Sequence, residues 1–123
     1  MYQPAITGTG VFTPSEVITN AELVASFNAY ADLFNAENAV AIAAGQLAAK
    51  EHSSTEFIHK ASGIDQRHVM EKAGVLDPAR MYPRFRQRSD DEPGIMAEMA
   101  LEACRMALAQ AGEDVVVLCE GDP

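Results

Sequence analysis

The chain has 123 residues, of which 48% are apolar and 22% charged, and its formal net charge is −9. That length permits one domain burying roughly two-thirds of its unfolded surface, and that composition excludes a disordered chain. The acidic balance argues against nucleic acid as a partner. No apolar run nears the ~20 residues of a membrane-spanning helix, which argues against a membrane role.

Charge is unevenly spread. Seven of the nine basic residues lie between Lys60 and Arg88, whereas nine acids and the single base Arg105 follow from Ser89 onward. The start, Met1-Tyr2-Gln3-Pro4, has neither the basic segment nor the apolar core of a secretory signal, so the expected location is the cytoplasm. Two cysteines, Cys104 and Cys119, fall in a helical and a strand pattern, as buried reduced thiols do.

In chain order, Ala5 to Phe12 reads as a first strand stopped by Thr13-Pro14. Gly8-x-Gly10 is no dinucleotide loop, because Thr13 replaces the third glycine and no helix begins there. Close approach of another backbone, or a bulge, explains these glycines better.

Thr19-Asn20-Ala21-Glu22 is a helix start: Thr19 caps while Glu22 reaches back, with Asn20 an alternative cap. Leu23, Phe27, Tyr30 and Phe34 then form one apolar stripe, interrupted from Asn35 to Asn38. Ala39 to Lys50 is a second, alanine-rich helical stretch weakened by Gly45.

Glu51 to Thr55 is loop-like, Phe57-Ile58 opens a short turn closing near Ser62-Gly63, and Ile64 to Met70 is extended. Asp77 to Pro93 is a long irregular stretch of the kind that is often functional or mobile. The last helix starts between Ser89 and Pro93, where Asp90, Asp91 and Glu92 suit the positive end of the helix dipole. Met96, Met99, Ala100, Ala103 and Ala107 form its core face, and Gly112 its C-terminal cap. Val115 to Cys119 reads as a strand covered on both faces. This order predicts an α/β fold with a mixed or parallel sheet.

Several segments together carry a resemblance: Ile6 to Pro14, Thr19-Asn20-Ala21-Glu22-Leu23, and Phe57-Ile58 leading into Gly63-Ile64-x-x-Arg67-His68. In this order they resemble the amino-terminal region of β-ketoacyl-acyl-carrier-protein synthase III. The last helix, with its Ala-Gly ending before a valine-rich strand, matches the same region, so residues 1–123 read as an incomplete, N-terminal part of a thiolase-like domain. Tyr30 to His52 stands as a helical insertion, of a kind found in a divergent bacterial branch of the family. Phe57 replaces the usual tryptophan at the mouth of the coenzyme A tunnel, where it can still stack on a nucleobase.

The resemblance implies an acyltransferase of fatty acid biosynthesis that condenses an acyl-CoA with malonyl-acyl carrier protein. Coenzyme A thioester is then a substrate, no cofactor is covalently held, and the full-length enzyme is a homodimer. By resemblance Ser53, Phe57 and Arg67 lie near the coenzyme entrance. The family's Cys-His-Asn machinery has no counterpart here, so the chain alone is expected to be non-catalytic. A nucleophilic cysteine needs an electropositive helix start. Cys119 is followed by Glu120, which raises a thiol pKa, and Cys104 reads as a small helix-interior hydrophobe.

His52, His59 and His68 lack the close spacing of a zinc site, and His68 reads as a turn residue bonding to backbone. Arg80, Arg84, Arg86 and Arg88 have two readings. One is a phosphate or carrier-protein contact; the other, which carries more weight, is a solvated loop paired with Asp90, Asp91 and Glu92. Beside the synthase reading stand two alternatives: an interaction module that pairs with an intact synthase or acyl carrier protein, and a small coenzyme-A-binding protein.

Overall fold

A computed structural model describes residues 3–112 of the chain. Two compact units emerge: Pro14–Phe85, and Met1–Thr13 together with Arg86–Pro123.

In the Pro14–Phe85 unit, β1 (Glu16–Thr19) runs straight into α1 (Asn20–Glu37). The junction is a full capping box. Thr19 Oγ1 accepts the Glu22 N–H at 3.2 Å, and Glu22 accepts the Thr19 N–H at 2.9 Å. Two donors at a helix start are thus satisfied, which contributes about 1 kcal/mol. Asn20, the alternative cap, has another task. Its side-chain amide donates to the Ile64 carbonyl at 2.6 Å and accepts from Arg67 at 3.1 Å, tying α1 to β2 (Gln66–Val69).

The two strands pair antiparallel, with Glu16 opposite Val69 and Thr19 opposite Gln66. A mixed or parallel sheet was expected. Among the described residues the ladder is this one antiparallel pair, because the connection between β1 and β2 returns the chain in the opposite sense. Ile18, on β1, is 1% exposed, and Ala31, on α1, is fully buried.

α1 does not break at Asn35. It continues to Glu37 because the Asn35 side chain is engaged with the Lys50 backbone, and it ends at Asn38, whose N–H and side-chain amide both donate to the Phe34 carbonyl. The Ala39–Lys50 helix is shortened to α2 (Ala39–Ala43), since Gly45 adopts a left-handed φ of 72° that a helix cannot continue through. The turn expected at Phe57 is a real helix, α3 (Thr55–Ser62), capped by Ser54 and ended by Gly63 at φ 68°. The extended reading of 64–70 holds as β2.

α4 (Lys72–Leu76) has no counterpart in the sequence reading. It forms because both Glu71 carboxylate oxygens accept the Gly74 N–H at 3.0 Å. A β-carbon on Gly74 would lie 2.5 Å from the Tyr82 carbonyl oxygen, so the following loop folds back over this glycine.

In the other unit, α5 (Ile95–Ala111) starts slightly later than expected, with Gly94 as its N-cap and Gly112 at its end as foreseen. Met96 is 81% exposed, which corrects its place in the core face. Ala103 and Ala107 of the expected face do pack, together with Ala111, against Gly8 and Gly10. Residues 5–12 form no strand among the described residues; the Thr9 N–H is satisfied by Gln110 Oε1 at 2.8 Å. The glycines therefore do serve close backbone approach. The strand expected at Val115–Cys119 and the ending Glu120–Pro123 lie outside the described residues.

Candidate functional site: the start of helix α3

The segment leading to α3 runs along α1 and is held by side chains. Asn35 donates to the Lys50 carbonyl at 2.9 Å and accepts the Lys50 N–H at 2.8 Å. Two turns earlier Asn28 does the same to Ser53, at 3.2 and 2.8 Å. Between them Asp32 meets His52 Nε2 at 2.7 Å. Residues 28, 32 and 35 share one helical face, so α1 presents a row of partners to residues 50–53. The Lys50 ammonium also lies 4.5 Å from the Phe34 ring centroid and 5.6 Å from that of Tyr30.

Ser54 then caps α3, its hydroxyl accepting the Phe57 N–H at 3.1 Å. Phe57 stands 65% exposed in the first turn, an aromatic face offered to solvent. Ser53 and Ile58 join Leu23, Val24, Phe27 and Met81 around an apolar cleft of about 250 Å³. A wider, open hollow of about 450 Å³ is bounded by Thr19, Asn20, Thr55, Glu56, His59 and Asp65. In it His59 Nδ1 meets Asp65 at 2.8 Å. Glu56 is held below the usual carboxylate range by its own N–H and by Thr55.

Ser53, just before α3, lines the apolar cleft, and Phe57 stands exposed in the first turn of the helix, lining neither hollow. Arg67 is not part of that helix start: it is half-buried and donates to Asn20. The clamps formed by Asn28 and Asn35 escaped the sequence reading. Their signal was two asparagines seven residues apart, each flanked in sequence by a phenylalanine and an alanine.

The arginine loop resolves toward pairing, with one of the expected acids and with others besides. Arg80 donates to the Tyr82 and Pro83 carbonyls and stacks 4.0 Å from the Tyr82 centroid. Arg84 pairs with Asp77. Arg86 meets both carboxylate oxygens of Glu92, and Arg88 pairs with Glu98. Of the three acids named from the sequence, only Glu92 takes an arginine in these pairs. The histidines go separate ways: His68 meets the Pro14 carbonyl at 2.9 Å, a backbone partner as expected, but from strand β2 opposite Val17 rather than from a turn. Among the described residues no three His, Cys, Asp or Glu side chains gather as metal ligands, and no helix is long and apolar enough to cross a membrane. Cys104 is half-buried inside α5, away from its start.

Comparison with known proteins bears on what this arrangement is for. Over 100 residues the chain is 48% identical to the β-ketodecanoyl-[acyl-carrier-protein] synthase of Pseudomonas aeruginosa. It is a relative of that synthase. The match takes in 76% of this chain and 29% of the synthase, so the chain spans well under half of the protein it matches. No protein-family model matches the chain. The synthase's name agrees with the resemblance carried by Gly63-Ile64-x-x-Arg67-His68 and the segments before it.

Proposed function

We propose that this chain supplies the coenzyme A entrance of a type III β-ketoacyl-acyl-carrier-protein synthase. That enzyme is an acyltransferase condensing acyl-CoA with malonyl-acyl carrier protein in fatty acid biosynthesis. The observation that carries the reading is the 48% identity over 100 residues to a β-ketodecanoyl synthase. Phe57 supports it, as an exposed ring on a capped helix start able to stack on the adenine of coenzyme A. Ser53 beside it and Arg67 are the further proposed contacts. The thiolase fold of the whole, a homodimeric assembly and a cytoplasmic location belong to the same proposal.

The described residues are proposed to do no bond-making themselves. Condensation of this type needs a thiolate at a helix start, and Cys104 occupies a helix interior. Two measurements test the reading. Calorimetry with coenzyme A is expected to give heat that disappears in Phe57→Ala; no heat from the unaltered chain removes the entrance. An assay with acyl-CoA and malonyl-acyl carrier protein is expected to show no turnover. Turnover abolished by replacing Cys104 or Cys119 overturns the non-catalytic part.

A second reading, a module that pairs with an intact synthase or acyl carrier protein, draws on the apolar residues Ile6, Val11 and Met96, which are 86%, 71% and 81% exposed. A monomer by light scattering at high concentration, with no complex on adding either partner, removes it.

A further inference from the structure

Leu47 to Ser53 is a segment without secondary structure of its own. Among the described residues, its backbone N–H and C=O groups are tied to the rest of the unit by two asparagine side chains, Asn35 at Lys50 and Asn28 at Ser53. Each amide both donates and accepts, as a neighbouring strand would, so each fixes the peptide's direction as well as its distance. From Ser53 the constraint passes on in one step. The next residue, Ser54, accepts the Phe57 N–H and so decides where α3 begins. The two residues that hold the segment in place inward, Lys50 and Ser53, are half-buried, while Ala48, Ala49, Glu51 and His52 are exposed.

We propose that Asn28 is a positioning residue: through the Ser53 backbone and the Ser54 cap it sets the place and direction of the Phe57 ring. Resting on the coenzyme A reading above, this makes Asn28 a determinant of that site although it need not touch the ligand. Asn35 anchors the same segment one stage earlier, and its loss acts on Lys50 first and on Phe57 only weakly.

Amide hydrogen exchange on the full 123-residue chain, read residue by residue, tests this. In Asn28→Ala the Ser53 and Phe57 amides are expected to exchange at least tenfold faster, while the interior amides of α1 and those of β2 keep their rates. Asn28→Asp retains the acceptor for the Ser53 N–H and loses the donor to its carbonyl. It is expected to restore Ser53 protection in large part, and it serves as the deciding variant should Asn28→Ala not fold. Calorimetry on the same proteins is expected to show coenzyme A affinity falling about tenfold in Asn28→Ala and recovering in Asn28→Asp. Unchanged Phe57 exchange in Asn28→Ala or, should that variant not fold, faster Phe57 exchange in Asn28→Asp despite a protected Ser53 amide overturns the positioning role, whatever coenzyme A does. Loss of Phe57 protection in a chain that gives no heat with coenzyme A upholds the positioning role and overturns only the ligand.

Discussion

Gly10 passes so near Ala103 that a β-carbon on Gly10 would fall well inside contact distance of the Ala103 carbonyl oxygen. Gly8 repeats the relationship one turn on, where its added carbon would come within 2.8 Å of the Ala111 Cβ. The pair of glycines that mimics a nucleotide-binding loop in the sequence is therefore a packing device, matched to the small residues of α5.

Gly10→Ala is expected to destabilise its unit, because the obstacle is helix backbone and has no rotamer by which to yield. Overpacking of this kind typically costs about 1–3 kcal/mol. Urea unfolding of the variant should show a lower midpoint at unchanged slope, and an unchanged midpoint would contradict the close approach.

Stability should fall in acid. Lys72, then the Thr19 N–H, hold Glu22 at about 2, below its ordinary 4.5. Arg86, then the Ser89 N–H, hold Glu92 at about 2 as well. The N–H groups of Arg84 and Gly74 lower Glu71. A carboxylate whose folded pKa is depressed contributes stability that is present above the unfolded value and is lost as pH falls through the folded one. The loss therefore runs from about 4.5 down to about 2. Denaturant midpoints measured between pH 6 and pH 2.5 should drop across that window, and Glu22→Gln should flatten the drop.

Asn20→Ala should be costly for a polar residue at a helix start. Asn20 is 6% exposed, and its loss leaves the Ile64 carbonyl and the Arg67 guanidinium without that partner. Unsatisfied groups of this kind cost about 1–3 kcal/mol. Thermal unfolding should show the loss, whereas Ala21→Ser on the exposed neighbour should leave the midpoint within experimental scatter.

Phe57→Trp should strengthen coenzyme A binding and Phe57→Ala should abolish measurable heat. Stacking of an aromatic side chain on a base is worth about 1–3 kcal/mol, and the indole offers more area than the phenyl ring. Equal affinities for all three proteins would remove Phe57 from the site. Because the ring is exposed, none of these changes should shift the unfolding midpoint by much.

Local chemistry was legible in the residues alone. The Thr19–Glu22 box, the Gly112 ending and the extended stretch at β2 all act within a few residues of chain, so spacing and residue type suffice to read them. The family resemblance was legible for the same reason, since its motifs are short and ordered. What only the tertiary structure decided lies across longer separations: which carbonyls Asn28 and Asn35 meet 25 and 15 residues away, which acids the arginines choose, and that Glu71 and Gly74 gather the loop at Arg84. An amide or guanidinium bonds to whatever partner the fold brings within about 3 Å, and a lone polar residue carries no periodicity to announce it. Position along the chain sets the helices and their ends, and three-dimensional proximity sets how Phe57 is held.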